Sequence, residues 1–306
     1  MRVFVTGATG FIGSAVVREL IDSGHHVLGL ARSDAAQEWL IAAGAQAHRG
    51  SLDDLDSLSR GAATSDGVIH AAFVHDFSDY AGAGETDLRA VQTLGVALEG
   101  SNRPLVVTSV TTLLAPGKLG IEDDRPHQES PSAIRIASEE SALAMADRGV
   151  RASAIRLPPS VHGDGDHGFV PSLIGVARTK GVSAYVGDGS NRWPAVHRLD
   201  AARLYRIALE SAPPGSTLHA VADKGVLVRD IAAIIGERMS VPVVSKSLDE
   251  AADHFGWLSY FVSVDNPISS ELTRKRFDWI PTQPGLLDDL NRQEYFNLIT
   301  RDRTRR

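Results

Sequence analysis

Thr6-Gly7-Ala8-Thr9-Gly10-Phe11-Ile12-Gly13 decides the fold. It follows Arg2–Thr6, a short run that reads as a strand. It opens Phe11–Ser23, where Ile12, Val16, Leu20 and Ile21 share one helical face. Gly24 closes that helix in the C-cap position. A glycine turn between strand and helix stands where a phosphate cradle is needed. Gly7 allows the tight turn, Gly10 lets the backbone approach a pyrophosphate, and Gly13 lets helix pack on strand. The free N–H groups at the helix start meet the phosphate charge. Thr9, Phe11 and Ile12 complete the cofactor-binding set of this turn.

Outward from the turn the alternation continues. Predicted strands are His26–Leu30, Ala45–His48, Gly67–Ala72, Leu105–Ser109 and Arg151–Leu157. Predicted helices are Asp34–Ala43, Gly84–Glu99 and Ser132–Arg148. Strands apolar on both faces belong in a sheet covered on both sides. Alternating strands and helices imply right-handed crossovers, so the fold class is α/β, a Rossmann-type doubly wound parallel sheet. Later the pattern loosens. Helices are predicted over Phe169–Lys180, Ala201–Glu210, Val228–Met239 and Ile268–Arg276, and strands near Val182–Val186, Pro194–His197 and Ser216–Ala220. The expected organisation is a dinucleotide-binding domain over 1–160, with segments around 190–222 returning to it, and a smaller mixed α/β substrate lobe over 161–306.

The chain has 306 residues, with 31 Lys and Arg against 38 Asp and Glu, a net charge of −7. This balance argues against non-specific nucleic-acid binding, which needs surplus cations. The absence of cysteine excludes disulfides, thiolate metal sites and thiol catalysis. No apolar run approaches the ~20 residues that cross a bilayer. No secretory signal precedes the glycines, so a cytoplasmic protein with no membrane partner is expected. The basic end, Arg301–Arg306, reads as a solvated terminus. There is no Gly-x-Ser-x-Gly elbow, and Gly7–Gly13 lacks the Lys-Ser/Thr ending of a phosphoryl-transfer loop. His162-Gly163-Asp164-Gly165-Asp166-His167-Gly168 holds two His and two Asp, but such glycines and short acids are ordinary turn chemistry, and no metal is expected.

Ligands of doubly wound sheets lie beyond the C-terminal strand ends. That rule selects Gly7–Gly13, Ala31–Ser33, Ala71–His75, Ser109–Thr112 and Pro158–Gly163. An NAD site usually ends its second strand with an acid for the ribose hydroxyls. Here the strand runs Leu28-Gly29-Leu30-Ala31-Arg32-Ser33. Arg32 suits a 2′-phosphate and Ser33 adds a hydroxyl, so NADP(H) is the expected cofactor. The alternatives are a merely solvated Arg32, or Asp34 reaching back to the ribose.

Together these segments resemble the extended short-chain dehydrogenase/reductase superfamily, the NAD-dependent epimerase/dehydratase group. Thr6–Gly13 has the extended form of its glycine motif. Gly50-Ser51-Leu52-Asp53 resembles the adenine-side Gly-Asp-Leu/Ile segment, with Ser51 where Asp is usual. Val68-Ile69-His70-Ala71-Ala72 resembles the His-x-Ala-Ala segment beside the cofactor ribose, which Phe73 follows. Arg156-Leu157-Pro158-Pro159-Ser160-Val161-His162-Gly163 resembles the Arg-Pro-x-x-Val-Tyr-Gly loop beside the nicotinamide, with His162 at the tyrosine. Gly187-Asp188-Gly189, Asn191-Arg192, Val196-His197 and Asp200-Ala201-Ala202 match a late substrate-lobe signature. The resemblance implies cofactor contacts from Ser51, Leu52, Ala71, Ala72, Phe73, Thr108, Pro158 and Val161.

The family's Tyr-x-x-x-Lys pair occurs nowhere in the chain. The matching stretch is Arg135-Ile136-Ala137-Ser138-Glu139, with Arg135 at the tyrosine and Glu139 at the lysine, as in the atypical branch of the superfamily. Four residues apart, the two are expected to form an ion pair, either structural or touching ribose or substrate. Arginine gives no useful proton near pH 7. Ser109 and Thr111 are the expected donors to a carbonyl oxygen, and His162 the expected proton donor, against structural roles for all three. Tyr185, His70 and His75 are further proton-donor candidates. His75, Phe169, Tyr185, Arg192 and Trp193 are the expected substrate contacts, with Arg192 either binding an anionic group or merely paired.

Three functions compete. The first is an NADPH-dependent reductase of a small or medium ketone or aldehyde. The second is a nucleotide-sugar epimerase or dehydratase. The third is a non-catalytic NADP(H)-sensing protein. Ala90, Leu94, Ala97, Leu98, Ala142, Leu143 and Ala146 give apolar helix faces that either dimerise or cover the sheet, so a monomer or homodimer is expected.

Overall fold

The computed structural model describes residues 1–74, 79–130, 132–292 and 295–296. Seven parallel strands form the main sheet: β1 (Arg2–Thr6), β2 (His26–Ala31), β3 (Gln46–Arg49), β4 (Gly67–His70), β5 (Pro104–Val110), β6 (Arg151–Leu157) and β10 (Ser216–His219). Their order is β10-β6-β5-β4-β1-β2-β3. The chain reverses direction of travel across the sheet between β1 and β4, and that switch point opens the crevice where such sheets bind ligands.

Strand alternation builds two cores. Val3, Val5, Ile69, Val106 and Ile155 face α1 (Phe11–Asp22) and α7 (Arg198–Ser211), where Leu20, Leu204, Tyr205 and Trp279 complete the layer. Phe4, Leu28, Val68, Leu105 and Val107 face α3 (Leu55–Ala63), α4 (Tyr80–Leu98) and α5 (Ile136–Ala144). Ala90, Leu94, Leu98 and Ala142 are buried in this second layer, so within the chain they cover the sheet.

Several boundaries differ from the sequence expectations for local reasons. Asp54 caps an unforeseen helix, α3, by accepting from Ser57 N at 2.9 Å, and Gly61 there lies against the Phe4 ring. The fourth strand stops at His70 because its partner β1 ends at Thr6: Ala71 N–H makes the last ladder bond, to Thr6 O (3.3 Å), and Ala72 N–H goes to the Thr6 hydroxyl (3.4 Å). The expected helix over Ser132–Arg148 is split. Residues 133–135 and 145–148 are 3₁₀ turns around α5. Ile268 bridges to Gly120, which delays the following helix to Glu271–Phe277.

The remaining elements form a smaller lobe around Val170, Ile174, Ile231, Phe255 and Leu286. It contains α6 (Phe169–Lys180), α8 (Val228–Met239), α9 (Leu248–Phe255), α10 (Ser259–Ser263) and α12 (Leu286–Leu290), with α11 being Glu271–Phe277. Two small sheets accompany it: β7 (Ser160–His162), β9 (Arg192–His197) and β11 (Asp223–Leu227), and β8 (Ser183–Val186) with β12 (Val243–Lys246). Of residues 190–222, α7 and β10 lie with the main sheet, while β9 belongs to the three-stranded sheet.

Candidate active site

The glycine turn has no room for side chains. Gly7 sits at φ +66°, and a Cβ there would meet the backbone of Ala71 and Ala72 at 2.7 Å. A Cβ on Gly13 would lie 1.9 Å from Gly7 O. Gly10 is the N-cap of α1 without a side-chain cap, and the first turn carries no acid. The helix therefore offers bare N–H groups and its positive end to an anion. Arg198 was missed from sequence. Its guanidinium lies 5.1 Å over the Phe11 ring, half-buried, and burial pulls its pKa down while Asp164 opposes. His167 stands edge-on to the same ring at 5.6 Å.

At the end of β2, Arg32 and Ser33 are exposed. The Ser33 hydroxyl accepts from Ala36 N at 3.2 Å as the cap of α2 (Asp34–Ala42). Asp34 is paired with Arg49 at 3.2 Å. Both partners of that ion pair are exposed, Asp34 the more so, and Arg49 thus places a second arginine near this strand end. Ser51 accepts from Asp53 N within its own turn, and Leu52 packs against the second core layer.

A buried polar chain runs beneath the crevice. Thr6 Oγ1 meets His70 Nδ1 at 2.8 Å, and His70 Nε2 meets Asp87 Oδ1 at 3.1 Å. Arg135 Nη2 lies 3.8 Å from Asp87 Oδ2 and donates to Thr108 O at 2.7 Å. Burial works to raise the Asp87 pKa, but the Arg135 charge and the His70 hydrogen bond outweigh it, so the carboxyl stays ionised below its ordinary range. The Arg135 guanidinium also stacks 4.1 Å over Phe73, beside Ala71 and Ala72. The Thr108 hydroxyl is spent internally, on His70 O (2.8 Å) and Tyr205 Oη (2.6 Å).

The expected Arg135–Glu139 ion pair does not form. Arg135, in the 3₁₀ turn before α5, is held by Asp87 and Thr108 O instead. Glu139 instead receives Arg156 through both oxygens, at 2.6 Å from Nη2 and 3.1–3.2 Å from Nε. Arg156 reaches on to Asp124 O and to His219 Nε2. Arg135 is therefore the cation that this segment presents toward the strand ends.

A narrow, partly open cleft lies on the lobe side of these strand ends. Leu114, Pro116, Pro159, Trp193, Phe261 and Val264 give it apolar walls. Thr112, Tyr260 and Asn266 supply its polar atoms. Thr111 is fully buried and donates to Asn266 Oδ1 at 3.2 Å. Thr112 shares a 2.7 Å hydrogen bond with Ser132. Ser109 Oγ is buried with no hydrogen-bond partner. Of the lining residues only Tyr260 carries a titratable group, and burial pushes its phenol up, so it keeps its proton at neutral pH. Asn266 and Tyr260 were missed because nothing near them in sequence marks a site.

Phe169 packs edge-on with Trp193, Trp257 and Phe261, at 5.8, 5.4 and 4.7 Å, behind this wall. Arg192 is bound by Asp265 through three hydrogen bonds of 2.7–2.9 Å, the paired alternative. Tyr185 packs against the lobe core and Gly189. Pro158 is buried and Val161 packs on the first core layer. His162 has no exposed surface and does not line the cleft. Its Nδ1 meets Asp289 Oδ2 at 2.8 Å, and its ring stands 5.4 Å from His197. In the loop that follows, Asp166 pairs with the Tyr295 hydroxyl and His167 Nδ1 with Gly165 O. His75 lies outside the described residues.

Residues 3–220 match the model of the NAD dependent epimerase/dehydratase family. The chain belongs to that family, whose members use nicotinamide cofactors on small molecules. It is 53% identical over 297 residues to an uncharacterized protein of Schizosaccharomyces pombe, covering 97% of this chain and 100% of the other. It is 30% identical over 227 residues to a 2-alkyl-3-oxoalkanoate reductase of Stenotrophomonas maltophilia, covering 71% and 67%. The dTDP-glucose 4,6-dehydratase DesIV of Streptomyces venezuelae, solved with NAD bound, superposes with a TM-score of 0.79 at 20% identity over 99% and 98% of the two chains. That last likeness is one of fold. Among the described residues, no helix is long and apolar enough to cross a membrane.

Proposed function

We propose that this protein is an NADPH-dependent reductase of a carbonyl compound, working without the tyrosine–lysine pair. The end of β2 carries the proposal. Arg32 is exposed there, and the neighbouring acid, Asp34, is taken by Arg49. An exposed guanidinium beside an acid engaged in a surface ion pair suits a 2′-phosphate better than two free ribose hydroxyls. The bare start of α1 and the Gly7 contact with Ala71 and Ala72 fit a pyrophosphate. Arg198, over Phe11, is close enough to that helix start to add a charge. Arg135, fixed by Asp87, turns a cation toward the ribose side.

When bound, NADPH supplies a hydride for the carbonyl carbon. Thr112 and Tyr260 border the cleft and hold the carbonyl oxygen by hydrogen bonds. Tyr260 Oη gives its proton to that oxygen as the alcohol forms, and regains one from solvent. The Thr111–Asn266 bond fixes Asn266 in the wall. Ser109 and His162 are both buried, and His162 ties its loop to Asp289. The reductase named among the relatives supports a ketone substrate.

The test is loss of NADPH absorbance with a panel of ketones, including a 2-alkyl-3-oxoalkanoate. Turnover with NADPH, falling roughly hundredfold or more in Tyr260→Phe, is expected. Cofactor binding without turnover on any carbonyl compound would favour the sensing alternative.

A further inference from the structure

We infer that the cleft selects its carbonyl compound by an apolar chain or ring and excludes nucleotide sugars. This inference deepens the reductase reading and takes its site from it. Among the described residues, six of the cleft's lining side chains are apolar and none is charged. The polar atoms nearby are already committed. Trp193 Nε1–H donates to Phe261 O at 2.7 Å, and Thr111 occupies Asn266 Oδ1. Asn191 donates to Val262 O and Val264 O. Arg192, the cation nearest in sequence to this wall, is clamped by Asp265 on backbone and side chain alike.

A diphosphate needs cations or free N–H donors, and desolvating it without them is costly. An alkyl or aryl group needs only the walls. Outside the cleft, Trp257 (46% exposed) extends the apolar surface around Phe261.

The experiment is calorimetric titration of the full chain, with NADP⁺ present, against straight-chain methyl ketones of four, six and eight carbons. Affinity should rise about threefold to fourfold per methylene, as burial of each group predicts. UDP-glucose should neither bind nor displace the longest ketone. Val264→Asp, which places a charge in the wall, should abolish most of the gain with chain length. Phe261→Leu should reduce it by a few-fold, and an unchanged melting curve for this milder variant guards against unfolding. Equal affinity across the series, or displacement by UDP-glucose, overturns the inference. Ketone turnover without chain-length preference would also overturn it while leaving the reductase reading intact. Chain-length-dependent binding with no NADPH consumption would do the reverse.

Discussion

The cofactor end and the substrate cleft handle polarity in opposite ways. Around the glycine turn, polar groups are left uncommitted: the bare start of α1 and the exposed guanidinium of Arg32. Around the cleft, charge is paired, as in Arg192–Asp265, and the walls are apolar. On the proposed reading, one region takes an anion and the other a neutral, apolar molecule. The difference suits an enzyme that binds a phosphorylated cofactor beside a neutral ketone. It suits poorly an enzyme whose substrate is itself a diphosphate.

Between the regions runs the buried Thr6–His70–Asp87–Arg135 chain, and breaking it should have the largest effect on stability. Arg135→Met leaves Asp87 buried with its nearest cation gone, at a cost of about 3–5 kcal/mol, read by urea unfolding. The same loss with restored stability in Arg135→Met/Asp87→Leu would show that the pair, and not the arginine's packing, matters. Gly13→Ala should come next. Its methyl group collides with Gly7 O, so about 1–3 kcal/mol of stability and most NADPH binding should be lost together. Retained binding would mean that the turn is not the cradle.

Acid sensitivity probes the second buried network, behind the cleft. His219 Nδ1–H donates to Ser269 O at 2.7 Å, and Nε2 faces Arg156 at 3.4 Å. Burial holds this imidazole down to about 4, whereas the unfolded chain takes up the proton near its ordinary value of 6.5. The unfolded state thus binds more protons between these values. The stability His219 contributes is complete above about pH 6.5 and is lost as pH falls toward 4. His219→Gln, neutral throughout, should flatten the melting temperature over that window. The smallest effect is expected for Thr108→Val, about 1 kcal/mol, because it strips one hydroxyl from His70 O and Tyr205 Oη. Cofactor affinity should barely change, since that hydroxyl is turned inward.

The cofactor side was legible in sequence because its parts are local. Gly7, Gly10 and Gly13 fall within eight residues, and strand periodicity brackets them. Arg32 needed only the end of β2 to be found. The cleft joins Thr112, Pro159, Trp193 and Asn266, brought together only by the lobe's packing, so no spacing rule reaches it. The Arg135–Glu139 expectation failed on partners far along the chain: Asp87 and Thr108 O hold Arg135, and Arg156 holds Glu139. Helix α3 was missed although Asp54 is an ordinary N-cap, because Leu55, Leu58 and Ala62 give only a short apolar stripe. His162 sat in a motif loop, but its partner, Asp289, is contributed by α12 far along the chain.

The central claim, that this end of the sheet is built for a 2′-phosphorylated dinucleotide, is tested most directly by calorimetric titration with NADPH and with NADH, on the wild type and on Arg32→Ala. NADPH should bind more tightly than NADH, and Arg32→Ala should lose roughly tenfold or more of the NADPH affinity while leaving NADH unchanged. Equal affinity for both cofactors, indifferent to Arg32, would contradict the account.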